Sequence, residues 1–271
     1  MVLLDTGGWT CWLPSSKSTS KEFALRNKYT DQSSTSVSIN KVYETSYSGE
    51  KYKGNVMSDQ LWLAGYFISQ FTFVEMVECS GAGDNREAYD GIIGMRRSPE
   101  NDDSYELFKT TILDYVVNAG IVKDAVFSFR FCGQPGVRGQ SWFLDGNLNF
   151  GGIRVGYFHP PIVVLPLYQS QQWVIDVSSI EYGDVVLCKP CRAQVDTGSP
   201  DTYAPEEASN ILLKNSVVEE LAGKILHVRL HNLHRVRSMK ITMATHVFLL
   251  SSQELTRYVS EYLGVVECAP S

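Results

Sequence analysis

The feature that most restricts this chain is an internal repeat. Leu3-Leu4-Asp5-Thr6-Gly7-Gly8, near the start, is echoed by Gln194-Val195-Asp196-Thr197-Gly198-Ser199, each an apolar approach followed by Asp-Thr-Gly. At average composition one such tripeptide arises by chance in roughly one chain in twenty of this length, so a single copy says little. Taken alone it reads as a turn, since Asp caps and Gly tolerates positive φ. Two copies, both strand-flanked and 191 positions apart, point to two halves that each supply one loop.

The rest of the chain reads as short strands. Residues 71–77, 126–131 and 173–177 alternate with period two and are rich in β-branched and aromatic side chains. Turn clusters at Ser48-Gly49-Glu50, Ser80 to Asp84 and Gly133 to Gly136 separate them. Helical spacing is confined to Phe108, Ile112, Tyr115 and Ala119, with Gly120 at the helix stop, and to a weaker segment from Ser252 to Tyr262. The expected class is therefore all-β with few helices. A length of 271 residues, 44% of them hydrophobic, suits two compact lobes or one large β domain. The formal charge of −6 argues against a nucleic-acid partner. The uncharged run from Val155 to Ile175 is interrupted by Pro160, Pro161 and Pro166, so no membrane-spanning helix is expected.

Paired Asp-Thr-Gly loops carry a definite chemistry. Splitting an amide with water needs one group to accept a proton from the water and another to give one to the carbonyl oxygen or the departing nitrogen. Two carboxyls in contact do both, because like charges so close cannot both ionise and one proton is shared. Each Gly permits a tight turn that aims an amide at the carboxylate, and each Thr hydroxyl can bond the opposite loop.

At this point the chain resembles the pepsin-like aspartic endopeptidases, the usual illustration of such a shared proton. Asp5 to Ser15 follows that family's first active-site pattern, with Trp12 seven residues after the Asp and an apolar-Pro-Ser end. Ser33-Ser34-Thr35 is similar to the polar turn before its flap, and Tyr47, with Gly54 seven residues on, to the flap hairpin. Tyr89-Asp90-Gly91-Ile92-Ile93-Gly94 resembles the segment that packs beside the first loop; Phe127-Ser128-Phe129 and Phe150-Gly151-Gly152-Ile153 fall in matching places.

The resemblance implies a bilobal pepsin-like acid protease fold with an incomplete C-terminal lobe. Residues 1–165 would form the N-terminal lobe, with the first Asp-Thr-Gly loop and flap, and residues 166–271 a partial C-terminal lobe. It implies an aspartic endopeptidase in which Asp5 and Asp196 activate one water. Tyr47, Gly7, Gly198, Ser199 and Thr197 would meet substrate, with Thr6, Trp12 and Gly94 in support and Tyr47 bonded to Trp12. Cys188 and Cys191, just ahead of the second loop, would form a small disulfide ring. No metal or organic cofactor is implied; the partner is a peptide or protein substrate, the chain a monomer, and the location secreted or lysosomal/vacuolar. The alternative from another class is a catalytically inactive pepsin-like protein that binds peptides or a partner in its groove.

Several positions depart from the pattern. Gly8 stands where the family usually has a Ser that donates to the first aspartate, so the shared proton is expected to favour Asp5. Glu50 and Lys51 bring charge to the flap, weighed against an ordinary solvent-facing turn. Asp5 to Gly94 spans 89 residues, and the same step from Asp196 passes the last residue, so a fragment or abbreviated product is expected. Basic residues gather at His227, Arg229, His231, His234, Arg235 and Arg237, read as a solvated face in preference to a metal or anion site. Glu100-Asn101-Asp102-Asp103 reads as a loop entering a helix, not a calcium site.

Overall fold

The alternation in residues 71–76 sends Phe71 and Phe73 to one side of a strand and Val74 and Met76 to the other, and both sides are buried. A strand covered on both faces must lie inside a sheet. In the computed structural model, which describes residues 1–47, 49–81, 89–132, 145–168, 171–199, 202–215, 218–221, 225–260 and 265–268, that strand is central to the first half. Strands β1 (Val2–Asp5), β2 (Trp12–Pro14), β3 (Val37–Tyr47), β4 (Glu50–Leu63), β5 (Tyr66–Ser80) and β6 (Gly91–Gly94) form one sheet in the order β1-β6-β2-β5-β4-β3. One face buries Trp12, Phe23, Tyr52, Val74, Met76 and Ile92. The other buries Cys11, Met57, Phe73, Ile93 and Val116. Each such side chain contributes about 1.5–3 kcal/mol on leaving water.

The pairing of β1 fixes where this sheet holds the first loop. β1 pairs parallel to β6 in the register Leu3↔Ile92, Leu4↔Ile93 and Asp5↔Gly94. The polar turn before β3 is tied to Asp59, whose carboxylate accepts from Tyr29 Oη (2.8 Å), Ser33 Oγ (2.9 Å), Thr35 Oγ1 (2.5 Å) and the Gln60 amide (2.7 Å).

The helical stretch is two segments, α1 (Tyr105–Phe108) and α2 (Ile112–Asn118). Thr111 caps α2 reciprocally with Asp114, which ends the run from Phe108 that the spacing predicted to be continuous. Gly120 at φ +68° stops α2 as expected. β7 (Phe127–Cys132) and β8 (Asp145–Phe150) form a ribbon; the turn predicted at 133–136 lies outside the described residues.

The second half has its own core around Tyr182, Leu212, Leu226, Val228 and Met239. Its strands are β9 (Val174–Val177), β10 (Ser179–Tyr182), β11 (Val185–Cys188), β12 (Cys191–Gln194), β13 (Val218–Leu221), β14 (Ile225–Arg229), β15 (Met239–Met243), β16 (His246–Leu250), β17 (Thr256–Ser260) and β18 (Val265–Cys268). They pair as β12-β9, β11-β10-β15-β16 and β13-β14-β18-β17. The helix expected from Ser252 is corrected here: residues 256–260 are β17, paired antiparallel with β18. Its β-branched and aromatic residues satisfy their backbone groups in the ladder, which a short ambiguous period cannot outweigh. A helix that the spacing did not suggest, α3 (Glu206–Asn215), buries Ala208 and Leu212 one turn apart. Strand thus dominates, as an all-β fold requires, and among the described residues no helix is long and apolar enough to cross a membrane.

Candidate active site

Apolar β1 delivers Asp5 to the end of its strand, and the Met95 amide caps it by donating to Asp5 O (2.7 Å). A side chain at Gly94 would meet the backbone of Trp9 and Thr10, so only glycine lets the loop pass so close. In the second half β12 pairs with β9, Val195 N donates to Trp173 O (2.8 Å), and Asp196 follows. The two loops thus arrive on different sheets.

They are joined by four bonds in reciprocal pairs. Thr6 Oγ1 donates to Val195 O (2.7 Å) and accepts from Thr197 N (2.9 Å). Thr197 Oγ1 donates to Leu4 O (2.5 Å) and accepts from Thr6 N (3.1 Å). Thr6 is buried. The glycines face across the junction: a Cβ on Gly7 would sit 2.5 Å from the Asp196 carboxylate, and one on Gly198 would strike that of Asp5. Ser199 follows, half-buried.

The carboxyls of Asp5 and Asp196 face each other across the junction, both lying beside the Gly198 Cα. Asp5 Oδ1 also accepts from the amides of Gly7 (2.8 Å) and Gly8 (3.0 Å), and Asp196 Oδ1 from that of Gly198 (2.8 Å). Burial first, then the charge of Asp196, push the Asp5 carboxyl up to about 6, although the two amides pull it down. Asp5 is half-buried and Asp196 exposed. The lead cause is burial, where the sequence pointed to the hydroxyl that Gly8 lacks. Gly8 also makes room, since a Cβ there would meet Asp5 Oδ2.

Trp12 is buried, its ring 5.8 Å from Tyr52 and 6.0 Å from Phe23. Tyr47 ends β3 opposite Glu50 in the flap hairpin; its side chain, and so its expected bond to Trp12, lies outside the described residues. Of the two readings of the flap, charge near its tip or an ordinary solvent-facing turn, the second is corrected at Glu50. Glu50 is buried, accepts from the Tyr52 hydroxyl and has Cys79 Sγ at 4.0 Å, because it shares a face of β4 with Tyr52. Lys51, on the opposite face, is exposed.

Cys188 and Cys191 are disulfide-bonded. In the basic segment Arg229 pairs with Glu219 (3.0 Å) and Arg237 with Asp184 (3.0 Å); His231, His234 and Arg235 are exposed, while His227 is buried. Asp102 accepts from the Ser104 amide (2.8 Å) just before α1, as a loop entering a helix should.

Two residues beside the site were not legible as such in the sequence. Trp173 Nε1 donates to Met95 O (3.2 Å), tying the second half to the segment after β6. Arg96 turns inward, its amide donating to Gly8 O (3.1 Å) and its Nη1 to Gly7 O (3.1 Å), with the guanidinium 4.5 Å from the centre of the Trp9 ring. The only sequence signal for Arg96 was its place two residues after Gly94.

Comparison with known proteins gives the family. A family model described as eukaryotic aspartyl protease matches residues 1–268. Vacuolar protease A of Neurospora crassa is 26% identical over 78% of this chain and 51% of its own length. Cathepsin D of Dictyostelium discoideum is 25% identical over 98% and 68%, and Renin-2 of Mus musculus 24% identical over 96% and 63%. The chain thus spans about half to two thirds of the length of these relatives.

Proposed function

The chain belongs to the eukaryotic aspartyl protease family, and from that premise we propose that it is an endopeptidase whose Asp5 and Asp196 activate one water against a peptide carbonyl. The observation that supports this reading is the reciprocal bonding of Thr6 and Thr197, which ties together the two loops that carry Asp5 and Asp196. Asp5, favoured as the neutral acid, gives its proton to the carbonyl oxygen while Asp196 takes one from the water. The product of that step is a tetrahedral diol, with no covalent bond to the enzyme. Acidic solution favours the reaction because the pair must retain one proton.

Residues 1–165 and 166–271 act as two lobes, a division supported by the separate cores of the two halves. An extended peptide lies between them, meeting Gly7, Thr197, Gly198 and Ser199, with Tyr47 on the flap above it. Trp12, Thr6 and Gly94 support the first loop. Both acids come from one chain, so a monomer suffices. A vacuolar or secreted location is supported by the likeness to a vacuolar protease and by the Cys188–Cys191 bridge, which suits an oxidising compartment.

The test is incubation with a denatured protein between about pH 3 and 6, with and without a statine peptide that mimics the diol. Statine-sensitive cleavage supports the proposal. Statine binding without turnover identifies an inactive groove, and neither result leaves the assignment without support. Gly8→Ser is expected to shift the alkaline limb of kcat/KM downward by about half to one pH unit, because the new hydroxyl donates to ionised Asp5 as the carboxylate shifts to admit the Cβ, so the shared proton is lost at lower pH. An unchanged limb in the pH profile contradicts that role for position 8.

A further inference from the structure

Arg96 does something that a surface arginine does not. Its neighbour Arg97 reaches Asp114 in a half-exposed ion pair (2.9 Å), but Arg96 buries its stem, leaves Nε without a partner and bonds no carboxylate among the described residues. Burying a guanidinium is unfavourable and an unpaired N–H adds to the loss, so an apolar side chain would serve packing alone better. Stacking on Trp9 offsets part of that loss. Trp9 is itself held by Nε1 donating to Ser104 Oγ (3.3 Å).

The peptide group between Gly7 and Gly8 explains the placement. Its carbonyl, Gly7 O, accepts from Arg96 Nη1, and its N–H, on Gly8, donates to Asp5 Oδ1. A donor on the carbonyl polarises the amide and strengthens the bond on its other side. The next carbonyl, Gly8 O, accepts from the Arg96 amide, so one residue restrains both peptide groups that follow the Gly7 Cα.

We infer that Arg96 is a positioning residue for the first aspartate: through the Gly7–Gly8 peptide it fixes and polarises a donor to Asp5, and its charge favours the ionised form of the pair. The inference deepens the peptidase reading and rests on it for its catalytic consequence. The charged groups facing Arg96 are Asp5, Asp196 and Asp102. Those facing Asp5 are Asp196, Arg96 and the Cys11 thiol, which burial pushes up to about 12 and so keeps neutral.

The experiment follows the Asp carboxyl carbons by NMR titration in the full chain and in Arg96→Gln, Arg96→Met and Arg96→Lys, with kcat and KM measured on one peptide. The neutral variants are expected to move the Asp5 titration upward by about half to one pH unit and to lower kcat about tenfold with KM within about twofold. Arg96→Lys keeps the charge, so its titration stays within about 0.2 unit of wild type while kcat falls by about threefold for want of the planar fork. An unmoved titration in a folded neutral variant overturns the inference. So does a lysine variant whose Asp5 titration moves by about half a pH unit or more from wild type, which decides the matter if the neutral variants do not fold. The titration needs no turnover: carbons that shift as expected in a chain that cleaves nothing sink the peptidase reading alone, whereas cleavage with unmoved carbons sinks the role of Arg96 alone.

Discussion

Asp5→Asn is expected to lower kcat by about 10³-fold or more and to make the protein more stable at neutral pH. The loss follows because the amide can neither hold nor return the shared proton, while its oxygen still accepts from the Gly7 and Gly8 amides and preserves the loop. The stability effect has a definite sign. Asp5 has a folded-state value raised from 3.8 to about 6, so its contribution to stability is fully present below about pH 4 and is lost as pH rises through about 6. Asn does not titrate. The melting temperature of the variant relative to wild type should therefore climb between about pH 4 and 6 and then level off. Thermal melts across that range check it, and parallel curves would contradict the raised Asp5 value.

Thr6→Val is the second large effect. The substitution keeps the shape and removes the hydroxyl of a residue that is only 4% exposed. Val195 O loses its donor and Thr197 N its acceptor, both at the junction of the halves. Leaving two such groups unpaired costs about 1–3 kcal/mol each, so a total destabilisation of about 2–6 kcal/mol is expected in urea unfolding. Turnover should fall about 100-fold as well, since slackening by about 1 Å between reacting groups has that consequence. Thr197→Val breaks the matching pair to Leu4 O and Thr6 N. The double variant should lose less than the sum of the two, because the four bonds act as one unit. Strict additivity would mean that the threonines serve their own loops independently.

What the sequence made legible was local or repeated. The Asp-Thr-Gly pair, the alternation in 71–77 and 173–177, the stop at Gly120 and the Cys188–Cys191 bridge all depend on neighbours within a few positions. The errors came where a partner far along the chain decides. Leu255, Tyr258 and Tyr262 have helical spacing, but residues 256–260 find their hydrogen bonds in β18. Glu50 has the composition of an exposed turn, yet the pleat turns it inward beside Tyr52 and Cys79. Arg96 and Trp173 gain their meaning from Gly7 and Met95, which lie 89 and 78 positions away. No periodicity reports such a contact. α3 was legible in principle, since Pro205, Glu206 and Glu207 open it and Ala208 and Leu212 share a face.

The crosswise glycines have a consequence for how such a chain can change. Because Gly7 leaves space for Asp196 and Gly198 leaves space for Asp5, each half is the mould in which the other half's acid is cast. A side chain gained at either glycine would displace an acid encoded almost two hundred codons away, and at Gly198 it would also crowd Asp196 of its own loop. Divergence in one half is therefore screened by the other, and a gene that recombines the two halves keeps both acids in place only when both moulds travel with it.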